Sequence, residues 1–251
     1  MKILIVTCTQ SKTVEEFKKT SLGKSFDFGV VTKLDRRTII NTGLPPCRRH
    51  EIDICVFLNN DQSLAINYNA GIFYAKDADY NIIVFVHDDV SIEDKFLAKK
   101  LKKAMETHDV VGLAGATSFK LTDPSSGYNL WHLISKDGLD NSWTGMVAHP
   151  GPGGLIQMTN FGPSPRDCKL IDGLFMAVKL KSIAGAMFDE TSPSKWHFYD
   201  LDFCLTAAEQ GLKITTWPIW VVHGSPGLSK ISDEFKIGNE WFYDKWTGKP
   251  S

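Results

Sequence analysis

Ile82-Ile83-Val84-Phe85-Val86-His87-Asp88-Asp89-Val90 is the stretch that decides the reading of this chain. Five apolar residues, four of them β-branched, run without a polar break, and two adjacent carboxylates follow His87. A short apolar run bounded by polar residues predicts a strand buried on both faces, as in a parallel sheet. Ligands of open α/β sheets sit beyond the carboxyl ends of such strands, which places Asp88 and Asp89 where a ligand would bind. Two like charges so close repel each other, and burial would raise at least one pKa. A divalent cation relieves that repulsion, and hard carboxylate oxygens suit Mg²⁺ or Mn²⁺. A solvated loop that merely carries two aspartates is the ordinary alternative, and the strand ahead of the pair argues against it.

On the N-terminal side, Lys2–Val6 reads as a buried strand with Thr7-Cys8-Thr9 as its polar exit. Threonine hydroxyls at such an end bond a base or ribose, or simply cap a turn. Residues 13–20 predict a short helix, residues 29–31 and 38–40 short strands, and Pro45-Pro46 a turn. Ile52–Leu58 is a second buried strand ending in Asn59-Asn60-Asp61. Asp61 or Ser63 caps the helix that follows, where Leu64, Ala65, Tyr68, Ile72 and Ala75 recur at helical spacing. Asn69 and Gly71 interrupt good helix formers there, which calls for a packing or ligand reason. After the Asp88-Asp89 strand, Ser91 and Asp94 resemble a capping box ahead of a stripe of Phe96, Leu97, Leu101 and Met105. This βαβ alternation predicts an α/β fold with a Rossmann-like, mostly parallel central sheet flanked by helices.

On the C-terminal side, Val110–Ala114 predicts another strand, and the character then changes. From Thr117 to Lys169 the chain is rich in Gly, Pro, Ser and Asn, with Trp131, His132, Trp143 and His149 among them. Loops this long are functional or disordered, and the tryptophans supply buriable surface that argues against disorder. Such aromatics stack on sugar rings or anchor the loop to the core. Leu170–Val178 returns to strand character and carries Asp172-Gly173. A helix is expected from about Leu201 to Gln210, stopping at Gly211, with Asp200 and Asp202 at its start. Capping needs only one of the two carboxylates. Strands at Ile214–Trp217 and Ile219–Val222 end at His223, and a lone histidine at a strand end is ordinarily structural. The Gly/Pro-rich loop after it fits a movable active-site segment. The tail, Trp241-Phe242-Tyr243-Asp244-Lys245-Trp246, is aromatic enough to dock on the body.

Composition narrows the classes. Hydrophobic content of 43% and charged content of 23% are those of an ordinary globular protein. The formal net charge of −1 offers no electrostatic capture of nucleic acid or anionic membrane. No apolar run approaches a membrane-spanning length. The N-terminus carries one basic residue and a short apolar run, so it reads as a first strand and not a signal peptide. Five scattered cysteines without CxxC spacing indicate neither zinc nor a disulfide framework. Reduced thiols in a cytoplasmic protein are the simplest account.

In order along the chain, four segments resemble the GT-A fold glycosyltransferases of the family-2-like branch. Asn60, Ser63-Leu64-Ala65 and Tyr68-Asn69-Ala70-Gly71-Ile72 resemble the helix signature before the metal strand. Ile83 to Val90 resembles the Asp-x-Asp metal motif, with His87 in place of its first acid. Ile171-Asp172-Gly173 resembles the acceptor-side strand. Phe198 to Phe203 resembles the Glu-Asp-x-Asp-Leu segment, with Tyr199 in place of Glu. The matches span roughly residues 1–228. The implied organisation is a single GT-A domain over 1–251: a nucleotide-binding half (1–116), a loop-rich acceptor-side half (117–228) and an aromatic tail (229–251).

The resemblance implies a hexosyltransferase-like enzyme. It would move a sugar from a nucleoside diphosphate sugar, UDP-linked before GDP-linked, to a hydroxyl on a glycan or other acceptor. Thr7, Thr9, Asn60, Asp61 and Asn69 would surround the donor, with His87 and Asp88 reaching it as well. Asp88, Asp89 and His223 would hold the cation, Mn²⁺ before Mg²⁺ because one imidazole joins the carboxylates. Asp200 would be the general base of an inverting displacement, with Asp172 orienting the acceptor and standing as the alternative base. The departures at His87 and Tyr199 keep a second reading open, a non-catalytic nucleotide-binding protein on the same scaffold. A nucleotidyltransferase ranks last, because Thr7 to Lys12 lacks the glycines such a loop requires.

Overall fold

The computed structural model describes residues 1–42, 51–132, 142–185, 187–225 and 231–248. The Pro45-Pro46 turn and the Pro226-Gly227 part of the loop after His223 lie outside the described residues.

The chain opens with strand β1 (Lys2–Cys8) and a one-turn helix α1 (Val14–Phe17), whose first amides are capped by Thr13. A hairpin of β2 (Phe28–Leu34) and β3 (Arg37–Thr42) leads to β4 (Glu51–Phe57). Helix α2 (Leu64–Asp77) starts at Ser63, whose hydroxyl accepts from the Ile66 amide. The decisive apolar run is β5 (Ile82–Val86), and none of its side chains is more than 2% exposed. Burial of side chains of this kind stabilises by roughly 1.5–3 kcal/mol each, so this strand anchors the core.

Next come β6 (Val90–Ile92), α3 (Leu97–Ala104), β7 (Val110–Gly112) and β8 (Ala114–Ala116). The next part of the chain holds β9 (Trp143–Pro150), β10 (Ile156–Gly162), β11 (Arg166–Asp167), β12 (Leu170–Ile171) and β13 (Phe175–Lys179). Helix α4 (Tyr199–Glu209), β14 (Ile214–Thr216), β15 (Val221–His223) and α5 (Asp233–Trp246) complete the order.

Among the described residues the large sheet has nine strands in the order β11-β14-β7-β13-β5-β1-β4-β3-β2. It is mixed. The parallel pairing expected from the sequence is found at β4-β1-β5 and at β7-β14, whereas β13 runs antiparallel to both β5 and β7. A second sheet, β12-β8-β9-β15-β6, carries β10 against β9. Helices flank the large sheet as expected of an α/β fold of the GT-A kind; Gly71 of α2, for instance, lies directly on the Val6 side chain of β1.

Five expectations need correction, the first being Leu170–Val178, which is β12 in the second sheet and β13 in the large one. Second, the predicted strand Val110–Ala114 is two strands in different sheets, broken at Leu113. Glycines let it cross: a Cβ on Gly112 would lie 2.6 Å from the Ile171 side chain, and one on Gly115 would strike the Leu170 carbonyl. Third, the region 117–169 is not loop throughout, since β9 and β10 form a hairpin within it. Fourth, Ser91 caps no helix; it lies in β6, which pairs with β15. Asp94 instead accepts from the Phe96 and Trp220 amides and pairs with Lys100 at 2.6 Å. Fifth, α4 begins two residues early, at Tyr199, which puts Asp200 inside its first turn.

Candidate active site

Three parallel strands end side by side, and their exits form the floor of a crevice of about 350 Å³. Its walls are Cys8, Thr9 and Gln10 after β1, Asn60 after β4, and His87, Asp88 and Asp89 after β5. Leu64 and Tyr68 of α2 and the ring of Trp196 close the sides. The turn after β5 is held from every direction by main-chain bonds. His87 donates to the Leu174 carbonyl, Leu22 donates to that of Asp88, and Gly224 donates to that of Asp89.

The antiparallel course of β13 brings Asp172 and its neighbours to this same end. Phe175 stands opposite Val86, so Asp172-Gly173-Leu174 lie beside the exit of β5. Likewise β15 runs antiparallel to β6 with His223 opposite Val90, which sets His223 next to Asp89. Helix α4 is aimed at the crevice by Phe198, whose φ of 66° and ψ of −5° are left-handed. A non-glycine residue there costs about 1–3 kcal/mol. Packing of its ring on Phe235 and Phe242, at 4.9 and 5.7 Å between centroids, holds it in place.

His87, Asp89 and His223 present ligand atoms that all lie within 4.8 Å of one another. Asp89 Oδ1 and His223 Nε2 are 3.5 Å apart, too long for a good hydrogen bond, and both are buried atoms without a hydrogen-bond partner. Orphaned buried polar atoms are costly, and a shared cation would satisfy both. The donor set therefore fits a divalent metal. Burial pushes the Asp89 carboxyl up, but the neighbouring His223 more than offsets this and holds it below the ordinary range. Burial lowers the pKa of His87, so the neutral imidazole that a metal needs is favoured.

Asp88, expected to share the cation, also lines the crevice but is not one of these three; its Oδ2 accepts from Thr9 Oγ1 at 2.6 Å. Burial, opposed by that bond, raises its pKa. His87 is the third member of the group in its place. The sequence treated it as a lost acid, and its spacing from Asp89 was the signal that could have marked it. Nε2 of His87 lies 2.6 Å from Tyr199 Oη, so the two departures from the family pattern touch each other.

Of the expected donor residues, Thr9 and Asn60 line the crevice. Thr7 does not; it is fully buried within β1, because the strand runs two residues further than its apolar core. Asn69 does not either. Its amide donates to the Phe188 carbonyl and Glu190 and accepts from the Met187 and Phe188 amides, so its reason is packing. Asp61 faces a neighbouring cavity beside the β2-β3 hairpin, where its carboxylate accepts from Gln62. Gln10, Tyr68 and Trp196 also line the crevice, although none of them was expected at the donor.

Asp172 and Asp200 meet at Gly173. Both Asp172 oxygens are taken, Oδ2 by Trp131 Nε1 at 2.7 Å and Oδ1 by the Leu174 amide at 2.9 Å. Trp131 is thus a buried anchor and no sugar platform. Asp200 Oδ2 accepts from the Gly173 amide at 2.9 Å. Burial and then the Asp172 charge push the Asp200 carboxyl up to about 7. That value suits a general base working near neutral pH.

A sequence profile of a glycosyltransferase like family matches residues 42–240. The chain belongs to this glycosyltransferase-like family. No curated protein sequence matches it. Among solved structures, A197 from STIV aligns over 92% of this chain and 98% of its own, at 10% identity and a TM-score of 0.44. Among the described residues of this glycosyltransferase-like protein, no helix is long and apolar enough to cross a membrane.

Gly173 is tightly enclosed by α4. A Cβ there would land on Tyr199 Oη and lie 3.0 Å from Asp200 Cβ. Gly173→Ala must therefore displace Tyr199, at the roughly 1–3 kcal/mol typical of overpacking. A lower unfolding midpoint in urea checks this; an unchanged midpoint would show that Tyr199 moves aside freely.

Proposed function

We propose that this protein is a metal-dependent, hexosyltransferase-like glycosyltransferase that takes a nucleoside diphosphate sugar, UDP-linked before GDP-linked, as donor. One observation carries the reading: Asp89 Oδ1 and His223 Nε2 are orphaned beside His87 at the mouth of a crevice of nucleotide-binding placement. Mn²⁺ suits two imidazoles and a carboxylate better than Mg²⁺. When bound, it would supply positive charge to the leaving diphosphate. Thr9 and Asn60 lie where a nucleoside would be bound, and Trp196 offers a ring for stacking. Asp200 takes the acceptor hydroxyl's proton, and one base acting on a direct displacement inverts the anomeric centre. Asp172, with both oxygens engaged, orients Trp131 and the Gly173 turn and leaves the base role to Asp200.

A thermal-shift screen of nucleoside diphosphate sugars, with and without Mn²⁺, tests the reading. Ligand that binds only the folded state raises the midpoint by mass action, and the shift should require the metal. Asp89→Ala should abolish Mn²⁺ binding in titration calorimetry while the fold persists, since Asp89 is partly exposed. Unchanged Mn²⁺ affinity in that variant would remove Asp89 from the site. If donors bind but no acceptor is ever glycosylated, the non-catalytic binding protein is the better description.

A further inference from the structure

His87 and Tyr199 are 112 residues apart and stand at the two positions where the chain departs from the family's acidic pattern. They are in direct contact, His87 Nε2 to Tyr199 Oη at 2.6 Å. We infer that the two form one unit, with Tyr199 a positioning residue that orients His87 as a ligand of a two-histidine, one-carboxylate cation site. This rests on the metal-dependent reading above and goes further, since it assigns roles to two residues outside the acidic motif.

The argument is one of bonding capacity. An imidazole has two ring nitrogens, and the hydrogen bond at one decides which is left to bind a metal. With Nε2 on Tyr199, Nδ1 is the nitrogen left over, and the phenol fixes the ring plane. Outer partners of this kind orient metal-bound histidines, and losing one typically costs about 10–100-fold in metal affinity. The phenol is itself immobilised. Tyr199 is buried, its ring packs edge-on against Tyr68 at 5.7 Å, and Gly173 leaves room for its oxygen alone. A glutamate here would set a carboxylate against the imidazole and against Asp172 and Asp200, already crowded. An imidazole with a neutral phenol avoids adding that charge.

Nitrogen ligands also change which ion is preferred. Imidazole suits borderline transition ions, whereas all-oxygen sites suit Mg²⁺. The parent protein should therefore bind Mn²⁺ more tightly than Mg²⁺, by a larger margin than His87→Asp, which restores a carboxylate.

The test is titration calorimetry with Mn²⁺ alone and Mg²⁺ alone on the parent, Tyr199→Phe, His87→Asp and the double variant. Unfolding midpoints are followed in parallel, because Phe keeps the ring and removes only the oxygen. Tyr199→Phe should weaken Mn²⁺ binding about 10–100-fold. In the His87→Asp background the same change should have little effect, since coupled residues are not additive. Nitrogen couplings in the pulsed electron-spin spectrum of bound Mn²⁺ should fall from two histidines to one in His87→Asp. Unchanged affinity in Tyr199→Phe, or an equal loss in both backgrounds, overturns the inference and leaves metal dependence intact. A parent that binds neither ion overturns both.

Discussion

Asp200→Asn is expected to bind donor and Mn²⁺ as the parent does while sugar transfer falls by about 10²–10⁴, the usual contribution of a positioned general base. Asn keeps the shape and an oxygen that can accept the Gly173 amide bond seen at 2.9 Å, but it cannot take a proton. An interaction needed only in the transition state shows as a loss in kcat with KM nearly unchanged. The pH profile should report the same group. Because the Asp200 carboxyl is pushed up to about 7, kcat/KM in the parent should climb as pH rises to 7 and level off above it. Equal transfer by Asp200→Asn and the parent would end the catalytic assignment, and Asp172→Asn would then be examined as the alternative base.

The same carboxyl has a stability signature of opposite sign. Its folded-state pKa is raised from 3.8 to about 7. Below pH 3.8 it is protonated in both states and costs nothing. Between 3.8 and 7 the unfolded chain ionises first, so stability falls as pH rises, and the loss is complete above 7. A displacement of this size corresponds to on the order of 4 kcal/mol. Asp200→Asn should therefore be more stable than the parent at pH 8 and gain little at pH 4. A catalytic group that weakens its own fold is the expected exchange at an active site.

Some of this was legible in the sequence, for identifiable reasons. Strands β1 and β5 announce themselves as unbroken apolar runs and β4 as one interrupted only by Asp53, and their polar exits mark the crevice because a parallel core leaves them at one end. Ser63 is readable as one of two candidate caps, beside Asp61, because the apolar spacing starts right after it, and the structure chooses Ser63. The antiparallel insertion of β13 was not readable, since an apolar run carries no sign of its direction. Yet that reversal is what lays Asp172 beside His87. Asn69 was ambiguous for a different reason: an asparagine inside a helix signals a demand on its amide without saying whether a ligand or the protein's own main chain makes it. His87 was underrated because residue-by-residue comparison scored it as a missing acid. Only the 2.6 Å contact with Tyr199 shows that two apparent losses are joined.

Asp202 gives the second large effect, and here the structure changes the expected size. As a helix cap its loss would cost roughly 0.5–2 kcal/mol. The side chain is instead 1% exposed and ties α4 to α5: Oδ1 accepts from Trp246 Nε1 at 2.9 Å and lies 2.7 Å from Lys245 Nζ. Lys245 also reaches Asp189 Oδ2 at 2.6 Å and lies 5.0 Å from the centre of the Trp241 ring. Those contacts dock the aromatic tail. Although desolvation opposes ionisation, Lys245 and Thr191 hold the Asp189 carboxyl down to about 2, so that half of the clasp is lost only as pH falls through about 2. Removing Asp202 leaves the indole N–H without its acceptor and Lys245 with one carboxylate in place of two, and breaking a buried pair from one side costs about 3–5 kcal/mol. Asp202→Ala should show that loss in urea unfolding at pH 7. Asp202→Asn, which keeps an acceptor for Trp246, should lose less. Mn²⁺ affinity should stay unchanged in both, because His87, Asp89 and His223 lie on other elements. A loss of 1 kcal/mol or less in Asp202→Ala would mean that the tail is held by the burial of Phe242 and Trp246 alone.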